Sequence, residues 1–184
     1  MKDNFLVFGQ PKINDAEINE VVDTLRSGWL GTGPKVKIFE ENFKVYKKTK
    51  YSIAVNSCTA ALHLSLMSLN LKKEDEVIVT PLTFCATINS IIHAGATPVL
   101  ADIDPVTMNI DPKKINEKIS SRTKCILPVH FAGRPCNMNE IMKISNKNNL
   151  FVILTSSSIP WIERAFNFKA PVTFSEKDLY ELKS

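Results

Sequence analysis

Long apolar runs are absent from this 184-residue sequence, which contains no stretch approaching the roughly 18 consecutive apolar residues of a membrane span. The first five residues also lack the apolar core of a signal peptide. The sequence therefore predicts a cytoplasmic protein with no membrane partner. Its hydrophobic fraction of 44% and charged fraction of 23% are ordinary for a domain with a buried core.

Paired cysteines and clustered basic residues are absent as well. The four cysteines form no CxxC pair and no Cys/His cluster, which favours reduced thiols over a disulfide framework and predicts no metal site. The net charge of +4 is mild, and the lysines are spread along helical patterns rather than gathered with aromatic residues. We therefore expect no nucleic-acid partner.

Glycine is scarce, with six residues in the chain, and none follows Gly133. Neither the G-x-G-x-x-G fingerprint nor the Walker pattern occurs, which disfavours a dinucleotide or nucleoside triphosphate site. Three of the glycines lie in residues 27–33, a loop too open to be a regular element. The glycine-free C-terminal part is unusual for an α/β domain, whose tight turns draw on glycine.

Short β-branched runs alternate with longer helical patterns from residue 50 to 154. Strands are predicted at 51–55, 76–80, 97–101, 125–129 and 151–154, and helices at 59–69, 84–93, from Asp111-Pro112, and at 138–147. Such alternation predicts an α/β fold with a mostly parallel sheet and helices on both faces. Two further helices are predicted ahead of it, at 15–26 and from Pro34. The domain prediction is 1–48 for the helices and glycine-rich loop, 49–154 for the α/β domain, and 155–184 for an atypical tail.

The turn after the first predicted strand carries Ser57, Cys58 and Thr59 at the start of a helix. Unpaired N–H groups and a partial positive charge make a helix N-terminus suitable for a phosphate, and two hydroxyl groups add donors. Simple N-capping by Ser57 explains the same residues equally well, so the segment alone leaves both interpretations open.

Phe84 and His130 follow predicted strands, at the sheet edge where ligands usually bind. Phe84 could stack on a planar ring, although an aromatic in such a place is more often core. A lone His130 is weak support for a general base. Asp102 and Asp104 resemble a carboxylate pair, but the proline after them favours turn chemistry. Cys58 and Cys85 have no adjacent base, which disfavours nucleophilic catalysis.

Five segments together resemble the DegT/DnrJ/StrS-type sugar aminotransferases in order and spacing, from about residue 8 to 153. They are residues 27–34 (SGWLGTGP), 56–64 (NSCTAALHL), 81–87 (PLTFCAT), 102–104 (DID) and 128–135 (PVHFAGRP). The resemblance implies the large domain of a fold-type I, aspartate aminotransferase-like enzyme dependent on pyridoxal 5'-phosphate (PLP). Such enzymes transfer an amino group from a donor such as glutamate to a nucleotide-linked keto-sugar, in amino-sugar and polysaccharide biosynthesis, and act as homodimers.

The resemblance also implies roles for individual residues. Ser57, Cys58 and Thr59 are expected at the cofactor phosphate, Phe84 against the pyridine ring, and His130 near the cofactor. The glycine-rich loop is expected near the sugar nucleotide, through Trp29, Gly31, Thr32 and Gly33.

The sequence departs from the family after the fifth predicted strand. The family's Asp-Ala-Ala-type segment, whose aspartate pairs with the pyridinium nitrogen, is replaced here by Leu-Thr-Ser-Ser-Ser at 154–158. The setting of the Schiff-base lysine is absent too, and Lys177 is only a remote candidate. We therefore expect a truncated large domain, altered near residue 154, that is inactive alone. The alternative is a non-catalytic α/β remnant that serves as a binding or dimerisation module.

Overall fold

A computed structural model describes residues 11–156 of the chain. The described residues divide into two compact units, residues 11–54 and 55–156. The first unit contains helices α1 (Asp15–Ser27) and α2 (Pro34–Lys47). The second contains α3 (Cys58–Met67), β1 (Glu76–Val79), α4 (Cys85–His93), β2 (Thr97–Leu100), α5 (Pro112–Lys118), β3 (Thr123–Leu127), β4 (Val129–His130), a 3-10 turn (Phe131–Gly133), α6 (Met138–Asn148), β5 (Phe151–Val152) and β6 (Thr155–Ser156).

Both helices of the first unit begin where the sequence predicts. The Glu17 carboxylate accepts the Asn14 backbone N–H at 2.7 Å, the half of a capping box that satisfies the donor ahead of α1. Pro34 opens α2 at the position where its missing N–H costs nothing. Gly28 ends α1 with φ of +72°, in the left-handed region that suits glycine.

The strand predicted at residues 51–55 is wrong. These residues form no strand in the structure, and the side chains of Tyr51 and Ile53 are exposed. A strand needs a partner to satisfy its backbone groups, and within residues 11–156 none pairs with this segment. The β-branched residues that suggested a strand favour one through the packing of their side chains. They cannot replace the neighbouring strand that the backbone N–H and C=O groups would need.

The second unit is built on a parallel sheet with strand order β2-β1-β3-β5. Successive side chains of a strand point to opposite faces, and here both faces are apolar. One face packs against α3 and α4, through residues that include Leu66, Val77, Ile91 and Leu127. Residues of the other face, including Ile78, Ile126, Ile115 of α5 and Ile141 of α6, form a second core. The predicted α/β fold with helices on both sides of a parallel sheet is confirmed.

Pro128 interrupts the ladder between β3 and β5 because it has no N–H to donate. The pairing nevertheless continues past it: Ile153 N–H donates to the Ile126 carbonyl at 3.0 Å, and Thr155 N–H donates to the Pro128 carbonyl at 3.2 Å. Short strands β4 and β6 then pair in parallel, with His130 opposite Ser156. The strand predicted at 125–129 is therefore divided into β3 and β4 and extends to His130. The strand predicted at 151–154 is observed only at Phe151–Val152, and β6 lies beyond the predicted range.

Glu76 is a buried carboxylate at the start of β1, with a side chain only 7% exposed. Its oxygens accept hydrogen bonds from the hydroxyls of Ser120 and Thr123, and it forms an ion pair with Arg122. The hydrogen bond from Ser120 is the largest cause that lowers the pKa of Glu76, and the charge of Arg122 adds to it. These contacts stabilise the ionised carboxylate in the folded chain.

This arrangement predicts that Glu76 stabilises the fold at neutral pH and loses that contribution in acid. A carboxyl with a lowered folded pKa contributes its full stabilisation above the unfolded pKa and loses it as the pH falls through the folded value. We expect Glu76→Gln to lower the urea midpoint at pH 7, and the difference from wild type to shrink below the ordinary carboxyl pKa of 4.5. Glu117→Gln, on an exposed ion pair with Lys114, is the control and should change little. A constant difference between pH 7 and pH 3 would contradict this account.

Candidate active site

The N-terminus of α3 presents two backbone N–H groups for a ligand. Ser57 adopts an extended conformation and its Oγ accepts the Ala60 N–H at 3.1 Å, so it is a true N-cap. Within residues 11–156, the N–H groups of Cys58 and Thr59 have no acceptor, and both residues are exposed. The capping and anion-binding interpretations are therefore compatible. The Ser57 cap occupies the N–H of Ala60, and the N–H groups of Cys58 and Thr59 remain available to an anion.

Phe84 is an exposed aromatic at the start of α4. It occupies the N-cap position, and 72% of its surface is accessible. The interpretation of Phe84 as a core residue is therefore wrong. Nearby threonine hydroxyls form hydrogen bonds that order the turn before α4. Thr83 Oγ1 donates to Thr87 Oγ1 at 2.9 Å, and the hydroxyl of the buried Thr80 accepts the Leu82 N–H. A ring held at the end of a structured turn offers a flat face for stacking.

His130, at the end of β4, is only 2% exposed. Its Nδ1 accepts the backbone N–H of Cys136 at 3.0 Å, so the neutral ring carries its proton on Nε2. Burial lowers the pKa of His130 below its ordinary value of 6.5, which favours this neutral form. The ring therefore acts as an Nε2–H donor, which argues against the general-base interpretation.

The sheet topology brings these residues to one edge. Because β1 and β3 are parallel neighbours, the segments that follow them, with Phe84 and His130, leave the sheet at the same end. The start of α3 reaches the same end, since Cys58 Sγ lies 3.7 Å from Thr155 Oγ1 of β6, and β6 pairs with the strand that carries His130. Ser57, Cys58, Thr59, Phe84 and His130 are thus gathered at the carboxyl edge of the sheet.

The glycine-rich loop belongs to the first unit. The Trp29 indole Nε1 donates to the Thr32 carbonyl at 2.9 Å, which folds the loop back on itself. A Cβ at Gly33 would lie 2.2 Å from that same indole nitrogen, so only glycine leaves room for the ring. Gly31 is exposed and has open space around it. The expected contact of Trp29, Gly31, Thr32 and Gly33 with a sugar nucleotide stays a prediction.

Other predicted features have plainer outcomes. The carboxylates of Asp102 and Asp104 accept backbone N–H groups of their own turn, from Ile103 in the first case and from Val106 and Thr107 in the second, which confirms the turn interpretation. Lys177 lies outside the described residues. No group of three potential metal ligands occurs within residues 11–156, and no helix there has the length and apolar character to span a membrane.

Two residues near the site carry no signal in the sequence. Thr155 contacts Cys58 across 97 positions of sequence. Asn109 is a buried polar residue whose side chain bonds the loop after His130. Both depend on the folded arrangement of distant segments, so neither composition nor periodicity could reveal them.

Comparisons of this chain with family models, curated proteins and solved structures agree with one another. Residues 11–158 match the DegT/DnrJ/EryC1/StrS aminotransferase family. The spore coat polysaccharide biosynthesis protein SpsC of Bacillus subtilis is 49% identical over 152 residues, which are 83% of this chain and 39% of SpsC. An aminotransferase from Psychrobacter cryohalolentis superposes with a TM-score of 0.75 at 41% identity, over 78% of this chain and 37% of that one. NtdA of Bacillus subtilis, whose crystal structure contains the cofactor PMP, superposes with a TM-score of 0.73 at 35% identity, over 82% and 37% of the two chains. The chain spans about 40% of the length of the curated relatives it matches.

Proposed function

Because this chain belongs to the DegT/DnrJ/EryC1/StrS aminotransferase family, we propose that its sheet edge forms the phosphate and ring contacts of a PLP site. PLP is the cofactor of the family. The observation that carries the proposal is the meeting, at one edge, of a helix N-terminus with two orphan N–H groups, an exposed phenyl ring and a buried imidazole donor.

The start of α3 fits a phosphate group. The N–H groups of Cys58 and Thr59 and the Thr59 hydroxyl are donors, and the helix dipole places positive charge where the dianion would bind. Ser57 contributes through its cap, which fixes the first turn in the geometry that points these donors outward. No lysine or arginine is needed for such a site, since oriented backbone N–H groups suffice.

The ring contacts come from the other two elements. The exposed phenyl ring of Phe84 would stack against the pyridine ring of the cofactor. His130 would donate a hydrogen bond from Nε2 to an acceptor atom of the cofactor. Bound PLP supplies an electron sink that allows an amino group to be taken from a donor and passed to a keto group. The contribution of this chain is to bind and orient.

The substrate we propose for the intact enzyme is a nucleotide-linked keto-sugar, with an amino donor such as glutamate. Two observations support this: SpsC carries a name from polysaccharide biosynthesis, and similar solved structures are described as sugar aminotransferases. The loop at 27–33 is the proposed contact to the sugar nucleotide. We also propose that the intact enzyme is a homodimer, as the family resemblance implies, and that it is cytoplasmic, since the scattered cysteines favour reduced thiols.

These 184 residues do not, in our proposal, complete the reaction. The acidic residue expected after the fifth strand is absent, and that stretch contains Thr155 and Ser156 of β6 instead. A lysine in the family's setting is missing as well. A second function, a non-catalytic module that binds phosphate compounds or pairs with another chain, is favoured by the same absences.

The role of Phe84 gives a direct test. We expect Phe84→Ala to weaken PLP binding about 2- to 12-fold, because an aromatic pair contributes about 0.5–1.5 kcal/mol beyond area burial. Phe84→Tyr keeps the ring and should bind like wild type. Since Phe84 is exposed, neither change should alter the melting temperature by much. The measurement is an absorbance titration with PLP, and equal affinity of the alanine variant would remove Phe84 from the site.

A further inference from the structure

Asn109 is a fully buried polar residue outside the site described above. It is 2% exposed and lies in the segment between β2 and α5. Its backbone is fixed by the preceding turn, since its carbonyl accepts the Asp104 N–H at 2.9 Å and its N–H reaches Thr107 Oγ1 at 3.4 Å. The side chain therefore projects from an anchored position.

The amide of Asn109 makes three hydrogen bonds, all with the backbone of the loop that follows His130. Its Nδ2 donates to the carbonyls of Arg134 at 3.0 Å and Pro135 at 3.1 Å. Its Oδ1 accepts the Phe131 N–H at 2.9 Å. Two donations and one acceptance from one short side chain require a primary amide, since a carboxylate cannot donate and a hydroxyl has one proton.

The loop held by Asn109 has a conformation that needs support. Ala132 has φ of 47°, in the left-handed region that a residue with a Cβ adopts at a cost, and Gly133 follows with φ of 76°. This sharp turn carries the chain back toward the strand it has just left. The Cys136 N–H then reaches Nδ1 of His130, and Cys136 Sγ donates to the Val129 carbonyl at 3.3 Å.

We propose that Asn109 is a positioning residue that holds the 131–135 loop closed and thereby fixes His130 as the Nε2–H tautomer. The chain of contacts runs from the Asn109 amide, through the loop backbone, to the Cys136 N–H and the imidazole. The importance of this tautomer for a cofactor rests on the proposed function, because it makes His130 a hydrogen-bond donor at the sheet edge. The tautomer itself is a property of this chain alone.

The test is nitrogen NMR of the full chain labelled with ¹⁵N. In wild type at pH 7 we expect His130 as a single neutral tautomer, protonated at Nε2, with a scalar coupling across the hydrogen bond from the Cys136 amide to Nδ1. Asn109→Ala and Asn109→Ser should lose the coupling and show a mixture of both tautomers. Asn148→Ala is the matched control, since Asn148 also bonds a backbone carbonyl, that of Ile144, but lies at the end of α6.

Several results would overturn the proposal. A wild-type His130 that is charged at pH 7 or protonated on Nδ1 would do so without any variant. So would a folded Asn109→Ala chain that keeps the single Nε2–H tautomer and the coupling. Loss of folding in both Asn109 variants would show a general structural role and would also count against it. The signals of His63 and His93 in helices α3 and α4 report whether each variant is folded.

Addition of PLP to the same samples separates this proposal from the proposed function. A wild-type tautomer as expected, with no response of the His130 Nε2 signal to PLP, would keep Asn109 as a positioning residue and remove the cofactor role. A PLP response of His130 that persists unchanged in a folded Asn109→Ala chain with mixed tautomers would support the cofactor site and contradict the importance of the fixed tautomer for the cofactor.

Discussion

Cys58→Pro is expected to weaken binding of PLP, and of inorganic phosphate, by about 10- to 150-fold. The substitution removes one of the two orphan N–H groups at the start of α3, and a hydrogen bond to a charged group contributes about 1.5–3 kcal/mol. Proline is well tolerated at the first helical position, and Ser57 already has the extended conformation that a residue before proline prefers. The helix should therefore remain intact while the donor is lost.

Cys58→Ala is the matched control because it removes the same thiol and keeps the N–H. We expect it to bind PLP within about twofold of wild type, since the thiol's only described contact is the 3.7 Å approach to Thr155 Oγ1. Titration of both variants by absorbance for PLP, and by phosphorus NMR for phosphate, gives the comparison. Equal weakening in the two variants would assign the effect to the thiol, and no weakening in either would exclude the α3 N-terminus as the phosphate site.

Incubation of the full chain with PLP followed by borohydride is expected to give no stoichiometric adduct at any single lysine. A catalytic lysine is activated by its surroundings, through desolvation or neighbouring charge, whereas an exposed lysine stays largely protonated at neutral pH. The sequence has no lysine in the family's setting. The glycine-rich turn that the resemblance implies after that lysine is absent as well, since no glycine follows Gly133. We therefore expect low, scattered modification and no transfer of an amino group from glutamate.

Peptide mass spectrometry of the reduced product decides this point. The scattered pattern should be the same in wild type and in Lys177→Arg. A single adduct at full occupancy that disappears in Lys177→Arg would mean that residues 157–184 provide a catalytic lysine, and the proposed inability of these residues to turn over substrate would be wrong.

The alternation of β-branched runs with helical patterns in the sequence predicts most of the α/β unit. The strand predicted at 76–80 is observed at Glu76–Val79. The helix that Asp111-Pro112 is predicted to open begins at Pro112, and the Asp111 carboxylate accepts the Lys113 N–H at 2.8 Å. These elements are determined locally, by a continuous apolar run in one case and by a cap and a proline in the other. Local chemistry of this kind is visible in the sequence.

Features set by distant contacts could not be predicted in the same way. Residues 51–55 have the composition of a strand, but strand formation depends on a partner that the sequence does not identify. His130 was correctly placed at the end of a strand, yet its burial and its occupied Nδ1 follow from a loop that returns six residues later. The clamp by Asn109 joins backbone groups 22 to 26 residues away, through contacts that only the folded chain creates.

The most direct test of the account is a PLP titration of the ¹⁵N-labelled chain followed by NMR, with the signals of Cys58, Thr59, Phe84 and His130 Nε2 observed together. If these residues form one site, their signals shift with a single dissociation constant. When inorganic phosphate displaces the cofactor from α3, the signals of Phe84 and His130 return to their free positions, while those of Cys58 and Thr59 move to the positions seen with phosphate alone. Shifts with unrelated constants, or shifts confined to amides beside exposed lysines, would contradict a common PLP site at the carboxyl edge of the sheet.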